Sequence, residues 1–187
     1  FDVKSTTRFV ADSDSSGIGN IYMQAGLIKA DSLEFGYISN IVPTQAPQII
    51  DLSGGSIEIT GTFTAWLAAD QDIIFRGTDI KTGNAQIRIT PDYDRNNTGD
   101  AIFTTNTDNG DTSKLEITGS GNIYLGVDSY WPGISWIPNN INIEAGEMKI
   151  TGSGSIYAYG KNRVDIGNSL TGTGPNIRTA GGNIWIG

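Results

Sequence analysis

The sequence predicts an all-β chain, and among all-β folds it points first to a β-solenoid, with a β-sandwich or jelly roll as the alternative. Three observations carry this. Residues 114–126, "KLEITGSGNIYLG", and 148–160, "MKITGSGSIYAYG", superimpose at a shift of 33 positions, with Ile117 on Ile150 and Ile123 on Ile156. The second half of the chain is a series of short alternating apolar segments closed by glycine. Helical patterns are nearly absent, and the polar residues are mostly Thr, Ser, Asn and Gly. Those residues suit turns and the outward faces of strands and disfavour helix interiors.

At the N-terminus, "FDVKSTTRFV" sets Phe1 and Val3 on one face and places Phe9 and Val10 after a polar gap. Residues 1–20 are therefore expected to form an extended segment, and 21–187 a single all-β domain. Such a strand can add to the open edge of a neighbouring subunit, supplying backbone hydrogen bonds and side-chain anchors. The plainer account folds it back onto its own domain. Two stretches come nearest to a helical pattern. In "FTAWLAADQDIIF" (63–75), Trp66, Leu67, Ile73 and Ile74 share a helical face, while "IYMQAGLIKADSLEF" (21–35) is interrupted by Gly26. β-Branched neighbours and missing caps count against the first, and the glycine against the second. The remainder reads as strand and turn.

In the second half the strand signal comes in beats. Ile141 and Ile143 lead into Ala145-Gly146, Met148 and Ile150 into Gly152, Ile156 and Ala158 into Gly160, and Val164 and Ile166 into Gly167. Ile177, then Ile184 and Ile186, complete the series. Alternation sets Ile, Met and Val on one face and Asn, Glu, Lys, Ser and Asp on the other. Strands this short suit a coil with brief flat sides and tight corners, where glycine lets one backbone approach another. Three beats of seven or eight residues make a rung of about 20–24 residues, the β-solenoid size class. "GNIY" at 19–22, "GNIY" at 121–124 and "GNIW" at 182–185 echo the same unit. "ITGSGNIY" also fits a β-hairpin with "TGSGN" as its turn, which would make the fold a sandwich or jelly roll. The longer patterns of the first half, such as "GSIEITGTFTAWLAA", suit that alternative better.

The Gly-Asn-Ile and "ITGSG" beats of residues 114–187 resemble the repeats of filamentous-haemagglutinin-type adhesins. They also resemble the glycine-punctuated shafts of phage tail fibres and tailspikes. The resemblance implies extracellular or virion-borne binding and fibre-building roles, with no cofactor.

Composition narrows the function classes. Twelve basic residues against twenty acidic ones leave a net charge of −8, and the cations are scattered singly, Lys161 with Arg163 being the nearest to a cluster. A nucleic-acid binder needs a cationic stripe, so no nucleic-acid partner is expected, nor an anionic membrane surface. The absence of Cys rules out disulfides, zinc-thiolate sites and thiol catalysis. The absence of His removes the commonest general base and the Ser-His-Asp arrangement. No run approaches the roughly 18–20 apolar residues of a membrane helix, so membrane insertion is not expected. The sequence opens at Phe1 rather than Met, as a chain that has lost a signal peptide or been cut from a larger one would. Export to the extracellular space or cell surface is the expectation, with a virion surface as the alternative.

Three kinds of candidate site stand out. Acidic loops hold Asp12 and Asp14, Asp92, Asp94 and Asp100, and Asp108 and Asp111. Closely spaced carboxylates suit Ca²⁺, which takes six to eight oxygen ligands, and the Asp92, Asp94, Asp100 loop is the best of the three. The plainer account is that Asp, Asn and Gly are turn formers. In "SYWPGISWIP", Tyr130, Trp131 and Trp136 read as an irregular loop that stacks on a surface glycan or meets a protein partner, or else as a small satellite core. A glycosidase needs only two carboxylates, but nothing in the sequence selects a pair among the twenty. "NNT" at 96–98 is a glycosylation-like sequon.

The final "GGNIWIG" alternates Ile184 and Ile186 around Trp185, an apolar strand edge of the kind that monomers normally cap or charge. Together with Phe1, Val3, Phe9 and Val10, these residues are the expected subunit interface. Open edges at both ends give a head-to-tail contact that does not close, and hence a filament. The expected function is that of a non-enzymatic extracellular structural protein that self-assembles into a filament or surface polymer by N-terminal strand addition. The alternative is a phage tail-fibre or adhesin module that binds a surface glycan.

Overall fold

The computed structural model describes residues 2–11, 19–36, 46–93, 96, 98–131, 134–167 and 174–187; for 2–4, 127–131 and 134–136 the backbone alone is described. Among these residues the protein is all-β, without a helix. Strand β1 (Asp2–Phe9) comes first, followed by β2 (Asn20–Met23) and β3 (Leu27–Phe35). Strands then recur in threes. The first set is β4 (Ile49–Leu52), β5 (Ser56–Ile59) and β6 (Ala65–Ala68), and the next is β7 (Ile73–Phe75), β8 (Asp79–Thr82) and β9 (Ile87–Thr90). After β10 (Asp100–Phe103), β11 (Lys114–Ile117) and β12 (Ile123–Leu125), the series is interrupted by β13 (Val127–Trp131) and β14 (Ile134–Trp136). It resumes with β15 (Asn140–Ile143), β16 (Glu147–Ile150) and β17 (Ile156–Ala158), then β18 (Arg163–Ile166), β19 (Asn176–Thr179) and β20 (Ile184–Ile186).

Apart from β13 and β14, which pair antiparallel, every strand pair is parallel. One sheet runs β18-β15-β10-β7-β4-β2. The larger sheet runs β19-β16-β11-β8-β5 to β3 and continues through β6-β9-β12-β17-β20. It turns at β3 because Leu27–Ala30 pairs with β5 while Leu33–Phe35 pairs with β6. Strand β1 lies along the other edge of β3. Each set of three strands therefore stacks in parallel register on the set before it.

The 33-residue repeat is a stack of two such sets, with Ile117 beside Ile150 and Ile123 beside Ile156. "ITGSGNIY" is accordingly not a hairpin, since β11 and β12 pair with β8, β9, β16 and β17 and not with each other. Its glycine corners nest. A Cβ on Gly152 would lie 1.9 Å from the Gly119 carbonyl oxygen, and one on Gly154 would lie 1.7 Å from that of Gly121. The Gly-Asn-Ile motif ties layers together where a strand begins. The Asn122 side-chain oxygen accepts the Ser155 N–H at 2.7 Å, and that of Asn20 accepts the Ile49 N–H at 3.1 Å.

Neither helical pattern forms a helix. Residues 21–35 contain β2 and β3, and residues 63–75 contain β6 and β7. Strand pairing against flanking layers overrides the weak local preference. The "SYWPGISWIP" stretch is not an irregular loop either, for Trp131 pairs with Ile134 and Val127 with Trp136 across the β13–β14 hairpin.

Alternation sends every second residue inward, as in the half-buried-to-buried pattern of β4, β5, β10, β15 and β16. Stacking turns these positions into columns. Ile50, Ile73, Ala101 and Ile141 make one, and Leu52, Phe75, Phe103 and Ile143 its neighbour. All are buried. Phe75 and Phe103 stack with their ring planes parallel, centroids 4.5 Å apart. Each large aliphatic or aromatic side chain so buried contributes roughly 1.5–3 kcal/mol.

Candidate functional site

The outward positions form columns too, and these carry the chemistry of the surface. On the β6 side, strand register aligns Arg8, Glu34, Trp66, Arg88, Tyr124, Tyr157 and Trp185. Arg8 donates to Glu34 at 2.6 Å. The Arg88 guanidinium lies between two rings, 5.5 Å from the centroid of Trp66 and 5.5 Å from that of Tyr124. It also donates twice to the Gln86 side chain, at 3.0 and 2.9 Å. Tyr124 and Tyr157 stack with centroids 4.9 Å apart and planes 7° from parallel. The two tyrosine faces in this contact are turned toward each other rather than toward solvent.

On the β5 side, a charge column aligns Lys29, Glu58, Lys81, Glu116, Lys149 and Arg178. Lys29 meets Glu58 at 3.1 Å, and Glu116 takes Lys149 at 3.1 Å and Lys81 at 4.0 Å. Two residues back along the strand from Lys149, Glu147 takes Arg178 at 2.6 Å and Lys114 at 3.7 Å. The hydrogen bond from Lys149, reinforced by the charges of Lys149, Lys81 and Lys114, holds Glu116 below its ordinary value of 4.5. A shallow groove of about 280 Å³ runs here, lined by Glu58, Asp79, Lys81, Lys114 and Glu116. Asp79 is pushed above its ordinary 3.8 by the desolvation of its carboxyl, with the charges of Asp111 and Glu116 adding to this against Lys114. Every carboxylate in the groove thus faces an ammonium, which suits cross-layer pairing.

On the third face the acids act as caps. Asp72 Oδ1 accepts the Asp100 N–H at 3.0 Å, and Asp100 Oδ1 accepts the Asn140 N–H and side-chain amide at 2.9 and 3.0 Å. Burial, with the charge of Asp100, raises Asp72 against the pull of that first hydrogen bond.

These placements bear on each sequence-derived site. Of the favoured calcium loop, Asp100 is engaged by Asn140, Asp92 is buried at φ 59°, and Asp94 lies outside the described residues. No group of three or more carboxylates able to hold a metal occurs among the described residues. Asp12 and Asp14 also lie outside them. The Asp108–Asp111 loop closes on itself. Asn106 accepts the Asp108 N–H, Asn109 and Asp111 bond to each other, and the Asn106 amide donates to the carbonyls of Ser53 and Arg76. Of Tyr130, Trp131 and Trp136, the structure places only the backbone, on the β13–β14 hairpin. In the sequon, Thr98 donates both its N–H and its hydroxyl to the Asn96 side chain.

At the interface residues, Val3 and Phe9 lie on β1, paired with Ala30 and Phe35 of the same chain, and Phe1 lies outside the described residues. The Phe9 ring sits 5.2 Å from that of Phe35, and Val10 is exposed. At the other end Ile184, Trp185 and Ile186 are 42%, 53% and 48% exposed, although Ile184 and Ile186 continue the buried columns of Ile156 and Ala158.

The aromatic column escaped the sequence reading, though one signal for it was there. The 33-residue superposition that sets Ile123 on Ile156 also sets Tyr124 on Tyr157. No protein-family model, curated protein or solved structure matches this chain.

Proposed function

We propose that this chain is a β-solenoid building block of an extracellular structural filament or surface polymer, and that it carries out no reaction. The observation that carries the reading is the continuity of the columns. Inward and outward positions keep one register from β3 to β20. A stack of that kind is extended by adding another layer, and another copy of the same chain supplies layers of the same spacing. The charge pattern supports a protein partner over nucleic acid. Lys29, Lys81, Lys114, Lys149, Arg8, Arg76, Arg163 and Arg178 each pair with a carboxylate of the chain itself, which leaves no cationic stripe for phosphates among the described residues.

Electron microscopy of the purified chain, beside a version lacking residues 1–10, tests the reading. Filaments from the full chain are the expected result. Discrete particles at every concentration would overturn it and favour glycan binding through Trp131 and Trp136.

A further inference from the structure

The geometry points to a sugar-binding site on the flank of the stack, where the exposed ring of Phe63 and the wall of Trp66 hold one neutral hexose of a glycan against Glu34, Thr6 and Thr64. A pocket of about 230 Å³ opens there, lined by Thr6, Ser32, Glu34, Phe63, Thr64 and Trp66. It crosses the outward faces of β1, β3 and the start of β6, and so belongs to the side of the layers. The site stands apart from the polymer reading, since a flank is presented by single copies and filaments alike.

Strand register assembles the pocket. Thr6 lies beside Ser32, and two residues further along Arg8 lies beside Glu34 and Glu34 beside Trp66. Thr64, whose carbonyl accepts the Leu33 N–H at 3.3 Å, comes in just before β6. None of the lining residues belongs to β9. On that side Trp66 carries Arg88, and its indole N–H is fixed on the Thr90 hydroxyl at 2.6 Å. The ring is thus held in place with its β3 side bordering the pocket. Phe63 is held by its corner. The Thr60 N–H donates to the Ala30 carbonyl at 2.9 Å, and the Thr60 hydroxyl donates to Asp31 at 2.8 Å. Gly61 packs so closely that a Cβ on it would lie 2.4 Å from the Asp31 carbonyl oxygen. The Phe63 ring is nonetheless 72% exposed. A lone exposed ring is ordinary on a protein surface. One carried by a fixed corner beside a concavity with unused polar groups is suited to binding, because little ordering is left to oppose it.

Those polar groups are specific. Ser32 Oγ donates to Thr6 Oγ1 at 2.8 Å, which leaves the Thr6 hydroxyl hydrogen without an acceptor among the described residues. The Thr64 hydroxyl has no hydrogen-bond partner among them either. Glu34 gives Oε2 to Arg8 at 2.6 Å and keeps Oε1 for another donor. A hexose matches this set. One face of a pyranose is a patch of C–H groups that lies against an aromatic ring, and its rim is hydroxyls that both donate and accept. Aromatic walls with a few convergent polar groups are the general form of small-molecule sites. The volume falls below the roughly 300 Å³ at which drug-sized sites begin, so a single ring fits. No cation lines the pocket, and Arg8 beside it is engaged by Glu34, which disfavours an anionic sugar.

Saturation-transfer NMR of the full chain with neutral tetrasaccharides of glucose, mannose and galactose tests the site. Saturation of the ring C–H protons of at least one of them is the expected result. Phe63→Ala should raise its Kd about tenfold or more, and Thr64→Val several-fold, both with unchanged thermal melts. Phe63→Tyr keeps a ring and should bind as the wild type does. The Trp131→Ala, Trp136→Ala double variant should also bind unchanged, which separates this site from the β13–β14 hairpin. Should Phe63→Ala melt early, Thr64→Val decides, and an unchanged Kd there overturns the assignment. Absence of saturation from all the sugars, a Kd that a well-folded Phe63→Ala leaves unchanged, or loss of binding in the hairpin variant would each overturn it too. None of these outcomes bears on whether filaments form.

Discussion

Gly154 lies so directly over Gly121 that a Cβ added to it would sit 1.7 Å from the Gly121 carbonyl oxygen. The obstacle is backbone, and it cannot rotate away without breaking the strand register on either side. Gly83, in a corner of the same face, has nothing within 4 Å of its Cβ position and no positive φ. Gly154→Ala should therefore destabilise by about 1–3 kcal/mol, the range of overpacking, or prevent folding. Gly83→Ala should be neutral or stabilise by up to about 1 kcal/mol through the unfolded chain. Urea melts of the two variants check the contrast. Equal stabilities would mean that the corners do not nest.

Arg88 is buried between Trp66 and Tyr124 and is held in plane by Gln86. A lysine there keeps the charge but loses both the flat stacking surface and the forked donation to one amide oxygen. Arg88→Lys should cost about 1–2 kcal/mol, given roughly 0.5–2 kcal/mol for a cation over a ring. Thermal melts read the loss. An unchanged melt would mean that the column packs without help from its cation.

The column containing Arg88 also explains what could be read from the sequence and what could not. Where two layers are joined by corners of equal length, the period shows, and Tyr124 and Tyr157 fall into register at 33 residues by inspection. Trp66, Arg88 and Tyr124 are neighbours too, but 22 and 36 residues apart, because loops of unequal length interrupt the layers between them. With no fixed period, an outward column is invisible until strands are paired. The helical face suggested by Trp66, Leu67, Ile73 and Ile74 has the same origin. Two of these residues belong to β6 and two to β7, on different sheets joined by the corner at Ala69–Asp72. The acidic loops mislead for a further reason. Turns and calcium sites draw on the same residues, and only the hydrogen bonds of Asn106, Asn109 and Asp100 distinguish them.

Asn106 anchors the loop before β11 by reaching two carbonyls of earlier layers, Ser53 at 2.6 Å and Arg76 at 3.3 Å. Asn106→Ala leaves those carbonyls and the Asp108 N–H without that partner, at about 1–3 kcal/mol for each buried group left unsatisfied. Residues 104–113 should become the first site of limited proteolysis, while a calcium chelator should leave the wild-type melt unchanged. Protection lost on chelation instead would identify the loop as a cation site.

Asp72 and Glu116 should pull the pH dependence of stability in opposite directions. Glu116 is held below 4.5 by Lys149 and its neighbours, so its contribution is fully present above pH 4.5 and is lost as the pH falls through its lowered value. Asp72 is held above 3.8 by burial and by the charge of Asp100, so its ionised form costs folded stability at neutral pH. That cost is relieved as the pH falls toward 3.8. Asp72→Asn keeps an oxygen to accept the Asp100 N–H while removing the charge. It should stabilise at pH 7 by up to about 1 kcal/mol, with the gain vanishing below pH 3.8. Glu116→Gln should instead lose about 0.5–1 kcal/mol at pH 7, since its two ion pairs are partly exposed and screened by salt. Its deficit should shrink below pH 4.5, where the wild-type carboxylate is itself being protonated. Denaturant titrations from pH 3 to pH 7 separate the two. Parallel curves for both variants would mean that neither charge is coupled to the fold.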